Sequence, residues 1–406
     1  LAFLSSLYEG SKNMVQLYGV AILPQAFGCD DLIGQNLESA FIYGYSTDKI
    51  TDDVKDQLAA FLRCQRITSD DLAAGSSIDT NLSDLLASLN TRLNYYLDSS
   101  PFLPMAGYQP SSDVSELARL DLDALQIWIL IRTQAYEAAN DVFKYGRNAY
   151  STGDSIEKYL SLFSLYRENP TNIPLHEFYV QYYGSATFGE DIIVGAIEDS
   201  GELVSVNQTV RSEIAFRTVQ GIYSFMGGVG KMYSAVASCS GQDMEAAINY
   251  WDSSVALYIG SSEGLLAGGR QGSGGSFMYS LSEEICSDLG VCGPAEETIA
   301  NKGLLLEFAY GRDALSEGKC DFLQRLIEEE IIPQLVAVLI QAFLVFSIKS
   351  EVVDDRFHDE QLAAEFMFSK VLLPVIDKVN STSATTIQET YGNLETLMTA
   401  TKDLPS

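Results

Sequence analysis

Apolar residues recur at helical spacing along nearly the whole of this chain, and no series of alternating apolar and polar residues with hairpin turns interrupts them. That periodicity predicts an all-α protein, a multi-helix bundle with long helices. The expected helices cover residues 1–20, 31–44, 51–64, 82–97, 114–150, 155–168, 175–183, 187–198, 206–236, 243–263, 277–289, 295–316, 321–350, 359–379 and 383–401. Pro101, Pro104 and Pro110 cluster in a linker-like segment, and Pro333 and Pro374 fall inside apolar helical patterns that they are expected to kink. The Pro-rich stretch divides the chain into an N-terminal helical segment, 1–105, and a domain over 106–406.

The densest chemistry lies between Ala246 and Gly293. Ile248, Trp251, Val255 and Tyr258 form one apolar stripe of a helix, and Asp252 and Glu263, eleven residues apart, point the same way if that helix runs through both. Six of the twelve residues from Gly264 to Gly275 are glycine, which predicts a flexible connector before a second helix begins near Phe277 and carries Glu283 and Glu284. An internal duplication is also expected. The segment 40–53 with 57–60 lines up with 342–355 and 361–364, which makes 1–105 a partial repeat and 106–406 a complete one.

Composition narrows the function. Acidic residues outnumber basic ones 55 to 25, and the formal charge of −30 repels phosphate backbones, so nucleic acid is not an expected partner. Six cysteines with no CxxC and only two histidines, His176 and His358, exclude a zinc-type ligand set and fit disulfides in an oxidising compartment. Cys29 with Cys64 is the expected pair, and the other four allow three pairings. The chain begins directly in sequence patterned for folding, as a mature or trimmed chain would. Residues 331–348 are the one membrane-span candidate, short and interrupted, and a buried core helix rather than a span is expected.

Two motifs resemble catalytic or phosphate-binding signatures. Gly260-Ser-Ser262-Glu-Gly264 matches the GxSxG nucleophile elbow, but a helix precedes it where the elbow needs a strand. Gly227 to Lys231 lacks the first glycine and the Ser/Thr of a phosphate loop. No catalytic or cofactor-binding set emerges, and the protein is expected not to be an enzyme.

Four segments carry a resemblance to the algal iron-assimilating proteins, the family that includes the high-CO2-inducible periplasmic proteins of green algae. They are Phe178 to Gly189, similar to the family's FxxYYGxxxYxD segment; Tyr250 to Gly264, similar to WDxxVAFYxGSxEG; Gly275 to Cys286, similar to Gly-x3-YxLAxKRC; and Ile332 to Gln341, similar to its VPLIQ helix. The resemblance implies a secreted or periplasmic helical protein that binds or concentrates iron at the cell surface without catalysis. Ferric or ferrous ion is then the expected partner, with self-association or a cell-surface protein beside it. Only matched positions enter as metal ligands: Asp252, Tyr258, Glu263 and Glu283. Carboxylates and phenols are hard oxygen donors of the kind Fe(III) prefers to thiols. The chain departs from the family where a basic pair precedes the cysteine, for Glu284-Ile285 stands there. The contrasting expectation is a structural or assembly protein of an algal surface or filament, built from tandem helical repeats.

Overall fold

The computed structural model describes residues 37, 58, 102–151, 158–167, 173–265, 268–269, 275–293, 298–352 and 357–394. The Cys29–Cys64 pairing lies outside the described residues, as do the helices expected before residue 98 and the first copy of the repeat apart from Leu37 and Leu58, which are helical and buried. Met105–Glu263 and Ala267–Ser406 together form one compact unit.

This unit is all-α, as the periodicity requires. Its helices are α1 (Ser115–Ala118), α2 (Leu120–Arg132), α3 (Tyr136–Tyr145), α4 (Leu162–Arg167), α5 (Pro174–Tyr183), α6 (Phe188–Glu198), α7 (Gln208–Thr218), α8 (Phe225–Ser240), α9 (Met244–Ile259), α10 (Met278–Leu289), α11 (Ile299–Ser316), α12 (Cys320–Leu326), α13 (Ile332–Val352), α14 (His358–Val379) and α15 (Ser381–Tyr391). A two-residue antiparallel ladder, Tyr150–Ser151 with Lys158–Tyr159, follows α3.

The centre of the unit is α9. Asp243 caps it by accepting the N–H of Ala246 at 3.1 Å. From Trp251 to Ile259 every residue is buried, so this half of the helix is enclosed on all sides and not merely along one stripe. It packs against α8, α11, α1 and α10. The approach to α8 is close because α8 presents glycine: a Cβ at Gly227 would sit 3.3 Å from Leu257, and one at Gly228 would sit 3.5 Å from the Ser254 carbonyl. The Gly227–Lys231 run is therefore a helix-packing surface inside α8. On the opposite side, Trp251 donates its indole N–H to the Phe308 carbonyl at 2.9 Å and lies over Gly311.

Several expected elements end or break elsewhere than the sequence suggests. The helix expected over 114–150 is three helices, with Gln134 at a φ of 62° between the second and third. A left-handed glutamine costs about 1 kcal/mol, and nothing local announces it. The helix expected over 155–168 is reduced to α4, because Lys158–Tyr159 pairs as a strand. The stretch 206–236 is continuous from Gln208, but Val219–Ser224 is a π-helical segment between α7 and α8. A second π segment, Ile327–Ile331, lies directly before Pro333. A proline in an α-helix removes one hydrogen bond and crowds the carbonyl four residues earlier, here that of Glu329, and the wider π turn occupies that place.

Cys320 to Glu351 runs as one helix, long and apolar enough by length and composition to cross a membrane. One side is core, with Leu335, Val338, Leu339, Ala342, Val345 and Phe346 buried, and it packs against α14 and α10. Ala337, Ile340, Leu344 and Ile348 face outward. The four cysteines left open by the sequence pair as Cys239–Cys320, joining the end of α8 to the start of α12, and Cys286–Cys292, closing the end of α10. Two asparagines cap helices: Asn207 accepts from the N–H of Val210 at the start of α7, and Asn380 accepts from the N–H of Ser383 at the start of α15.

A Cβ at Gly311 would stand 1.9 Å from Trp251 Cζ2. Gly311→Ala should therefore force the α9–α11 contact apart and lower the unfolding free energy by at least about 2 kcal/mol. Urea denaturation measures this, and an unchanged midpoint would show that the contact yields freely.

Candidate metal centre

The four sequence candidates do not share one environment. Asp252 lies on α9 and is fully buried, and both of its oxygens are engaged by the chain entering the domain. Oδ1 accepts from the Tyr108 hydroxyl at 2.7 Å. Oδ2 accepts from the N–H of Ser111 at 2.7 Å and from the N–H and hydroxyl of Ser112, each at 2.8 Å. Burial still pushes its carboxyl above the usual range, with the Tyr108 and Ser112 hydrogen bonds working against that rise. Asp252 is thus a clamp on the 108–112 loop.

Glu263 is not on α9, as a helix over 243–263 would require. That helix stops at Ile259 because Gly260 takes a φ of 88°, and a Cβ there would stand 2.5 Å from Asp121 Oδ2. Only glycine fits both the conformation and the space. Asp121, buried on α2, then gathers the next two residues: it accepts from the N–H of Ser261 at 2.7 Å, the Ser261 hydroxyl at 2.7 Å and the N–H of Ser262 at 3.1 Å. The GxSxG run is accordingly the exit of a helix fastened to α2, and the fastening turns Glu263 inward, where it is fully buried.

Tyr258, Glu263 and Glu283 come together, and Tyr279 joins them. Tyr279 and Glu283 are one turn apart on α10. The rings of Tyr258 and Tyr279 meet edge to face at 5.9 Å. Burial drives the Tyr258 hydroxyl well above the usual phenol range, and Tyr279, Glu283 and Glu263, in that order, add to the rise. The Tyr258 hydroxyl donates to Asn301 Oδ1 at 2.6 Å, and Asn301 Nδ2 donates to the Tyr279 carbonyl at 3.1 Å. Thr298 fixes that asparagine by capping α11, its hydroxyl accepting the Asn301 N–H at 2.9 Å.

The glycine-rich loop is more than a connector at the two ends that can be described. Gly269, at a φ of 64°, lies so close to Tyr279 that a Cβ would stand 2.8 Å from the phenol oxygen. A Cβ at Gly275 would stand 2.2 Å from Glu263 Oε1. Glycine thus lets backbone lie directly against two of the four oxygen-bearing side chains.

Next to the cluster, the departure from the basic pair has a structural answer. Glu284 meets Arg217 in a two-pronged pair at 2.7 and 2.8 Å, and Glu213 holds the same guanidinium at 2.7 Å. Burial pushes the Glu284 carboxyl up, but Arg217 outweighs that and holds it below the usual range. Ile285 is core.

Of these residues, Tyr279 could have been found from its spacing to Glu283 in the sequence. Asp121 and Asn301 carry no local signal, since their partners lie 140 and 43 residues away. Among the described residues there is no group of three or more His, Cys, Asp or Glu side chains placed to hold a metal ion. The arrangement offers two carboxylates and two phenols, so an ion here would depend on the tyrosines.

A family described as Fea1, low iron-inducible periplasmic protein, matches residues 93–318, more than half of the chain. The chain belongs to that family. The match contains α9, the GxSxG turn, α10 and the whole of α11, and hence the whole oxygen cluster. No curated protein and no solved structure gives a significant match. The periplasmic family and the two disulfides place this Fea1 protein outside the cytoplasm.

Burial raises the Asp121 carboxyl from 3.8 to about 6, the Ser261 and Ser262 hydrogen bonds opposing the shift. A carboxyl raised on folding contributes stability at acid pH that is lost as the pH climbs through its folded value. The stability of the wild type relative to Asp121→Asn should therefore fall between pH 3.8 and about 6 and level off above. Urea titrations at a series of pH values test this, and a pH-independent difference would contradict it.

Proposed function

We propose that this protein binds a ferric ion as cargo, without catalysis, through Tyr258, Tyr279, Glu263 and Glu283. The observation that carries the reading is the gathering of two carboxylates and two phenols in the core beside α9. Carboxylates and phenols are hard oxygen donors, which suit Fe(III) better than ions that favour imidazole or thiolate. Membership in a low iron-inducible family supports the same ion. The absence of catalysis rests on the sequence, whose only histidines are on α5 and at the start of α14.

The phenol of Tyr258 sits well above its usual range, so a metal must displace its proton. Capture is then coupled to proton release, and affinity falls as the solution becomes acidic. A protein of this kind takes up iron in neutral surroundings and gives it up on acidification.

Titration of the purified protein with ferric nitrilotriacetate provides the test. A visible phenolate-to-iron charge-transfer band should develop and then fade on acidification. Tyr258→Phe and Tyr279→Phe should each reduce the band. Glu263→Gln should weaken binding at least about tenfold, on the scale of losing a tuned ligand contact. Asp252→Asn, which alters a loop clamp, should retain the wild-type band. Equal binding by all four variants, or no band in the wild type, would overturn the reading.

A further inference from the structure

A cavity of about 260 Å³ opens between α6, the 3-10 turn Gly201–Leu203 and α14, on elements that contribute nothing to the oxygen cluster. Its walls are mainly apolar: Tyr183, Phe188, Ile192, Leu203 and Phe366. Lys370 stands among them and is only 8% exposed, with its ammonium over the Phe366 ring at 5.1 Å from the centroid. A buried ammonium needs an anion. Among the described residues that anion is Glu202, whose carboxylate lies 2.5 Å away while its side chain is 68% exposed.

The two halves of that pair are unequal. Lys370 is held from the backbone outward, since its own carbonyl accepts the Tyr183 hydroxyl at 2.5 Å and its stem is packed in α14. Glu202 rides on a short turn bounded by left-handed residues, Asp199 at φ 54°, Gly201 at φ 63° and Ser205 at φ 63°. A carboxylate so exposed gains little from the pair and can turn to water at small cost. Any other carboxylate that brought an apolar body to the walls would satisfy the ammonium equally and bury its own surface as well.

Charge sets the class further. Asp191 also lines the cavity and is kept in place by the hydroxyls of Ser185 at 3.0 Å and Thr187 at 3.1 Å. A second negative group on the ligand would face it and be repelled. We infer that this cavity is a binding site for a small amphipathic monocarboxylate, anchored by Lys370, with Glu202 occupying the anion position when the ligand is absent.

Isothermal titration with phenylacetate tests the inference, with phenylacetamide as the uncharged control. Wild-type protein should bind phenylacetate at least about tenfold more tightly than the amide, the scale of one charge-assisted contact. Glu202→Ala, a change at an exposed side chain, removes the internal competitor and should tighten phenylacetate binding several-fold. Lys370→Met should abolish the preference for the acid over the amide. Absence of phenylacetate binding, equal affinity for acid and amide, or unchanged or weaker binding by Glu202→Ala would each overturn the assignment. The outcome is independent of the iron titration, because no residue is shared.

Discussion

A buried aspartate that gathers the backbone N–H groups of a loop elsewhere in the chain is the interaction on which this domain depends, and among the described residues it occurs three times. Asp121 holds Ser261 and Ser262, Asp252 holds Ser111 and Ser112, and Asp123 holds Arg147 and Asn148. A carboxylate in a protein interior is costly unless several donors converge on it. Each of these pairings joins a helix of the core to a segment far along the chain. Each also gives the buried carboxylate backbone N–H partners from a loop at the edge of the core. Among the described residues most carboxylates face water, and these few act as internal fasteners.

The Asp121 clamp links fold to chemistry. The left-handed glycine at residue 260 ends α9, the two following N–H groups meet Asp121, and the next side chain, Glu263, has nowhere to point but inward. Glu263, with Glu283 and Tyr279, then bears on the Tyr258 hydroxyl, and Gly275 leaves room for its carboxylate. The conspicuous motif of the sequence therefore works through geometry: its glycine and serines place a glutamate. The Arg217 guanidinium likewise absorbs the charge of Glu284, so that the carboxylate beside Glu283 on α10 is neutralised by a partner of its own.

Much of this is legible in the residues. The 3.6 periodicity carries the all-α class, and the stripe of Ile248, Trp251, Val255 and Tyr258 marks the central helix because local patterning and burial agree there. The end of that helix is not legible, because Gly260 within Ile-Gly-Ser-Ser is as compatible with a helix interior as with a stop; what decides is a carboxylate 140 residues earlier. The single helix expected over 114–150 breaks at the exposed, left-handed Gln134, where the N–H of Ala135 reaches back to the Leu130 carbonyl at 2.8 Å and closes the helix locally. Asp252 and Glu263 group together only on a helix that runs through both. Once the chain turns at Gly260, Asp252 serves a loop and Tyr279 takes its place beside the cluster.

The central functional claim is that iron sits among Tyr258, Tyr279, Glu263 and Glu283. The most direct measurement is an anomalous difference map at the iron edge from crystals of the ferric-loaded protein. One strong peak enclosed by those four side chains is the expected result. A peak beside Asp252 or on the acidic surface, or no ordered peak at full loading, would contradict it.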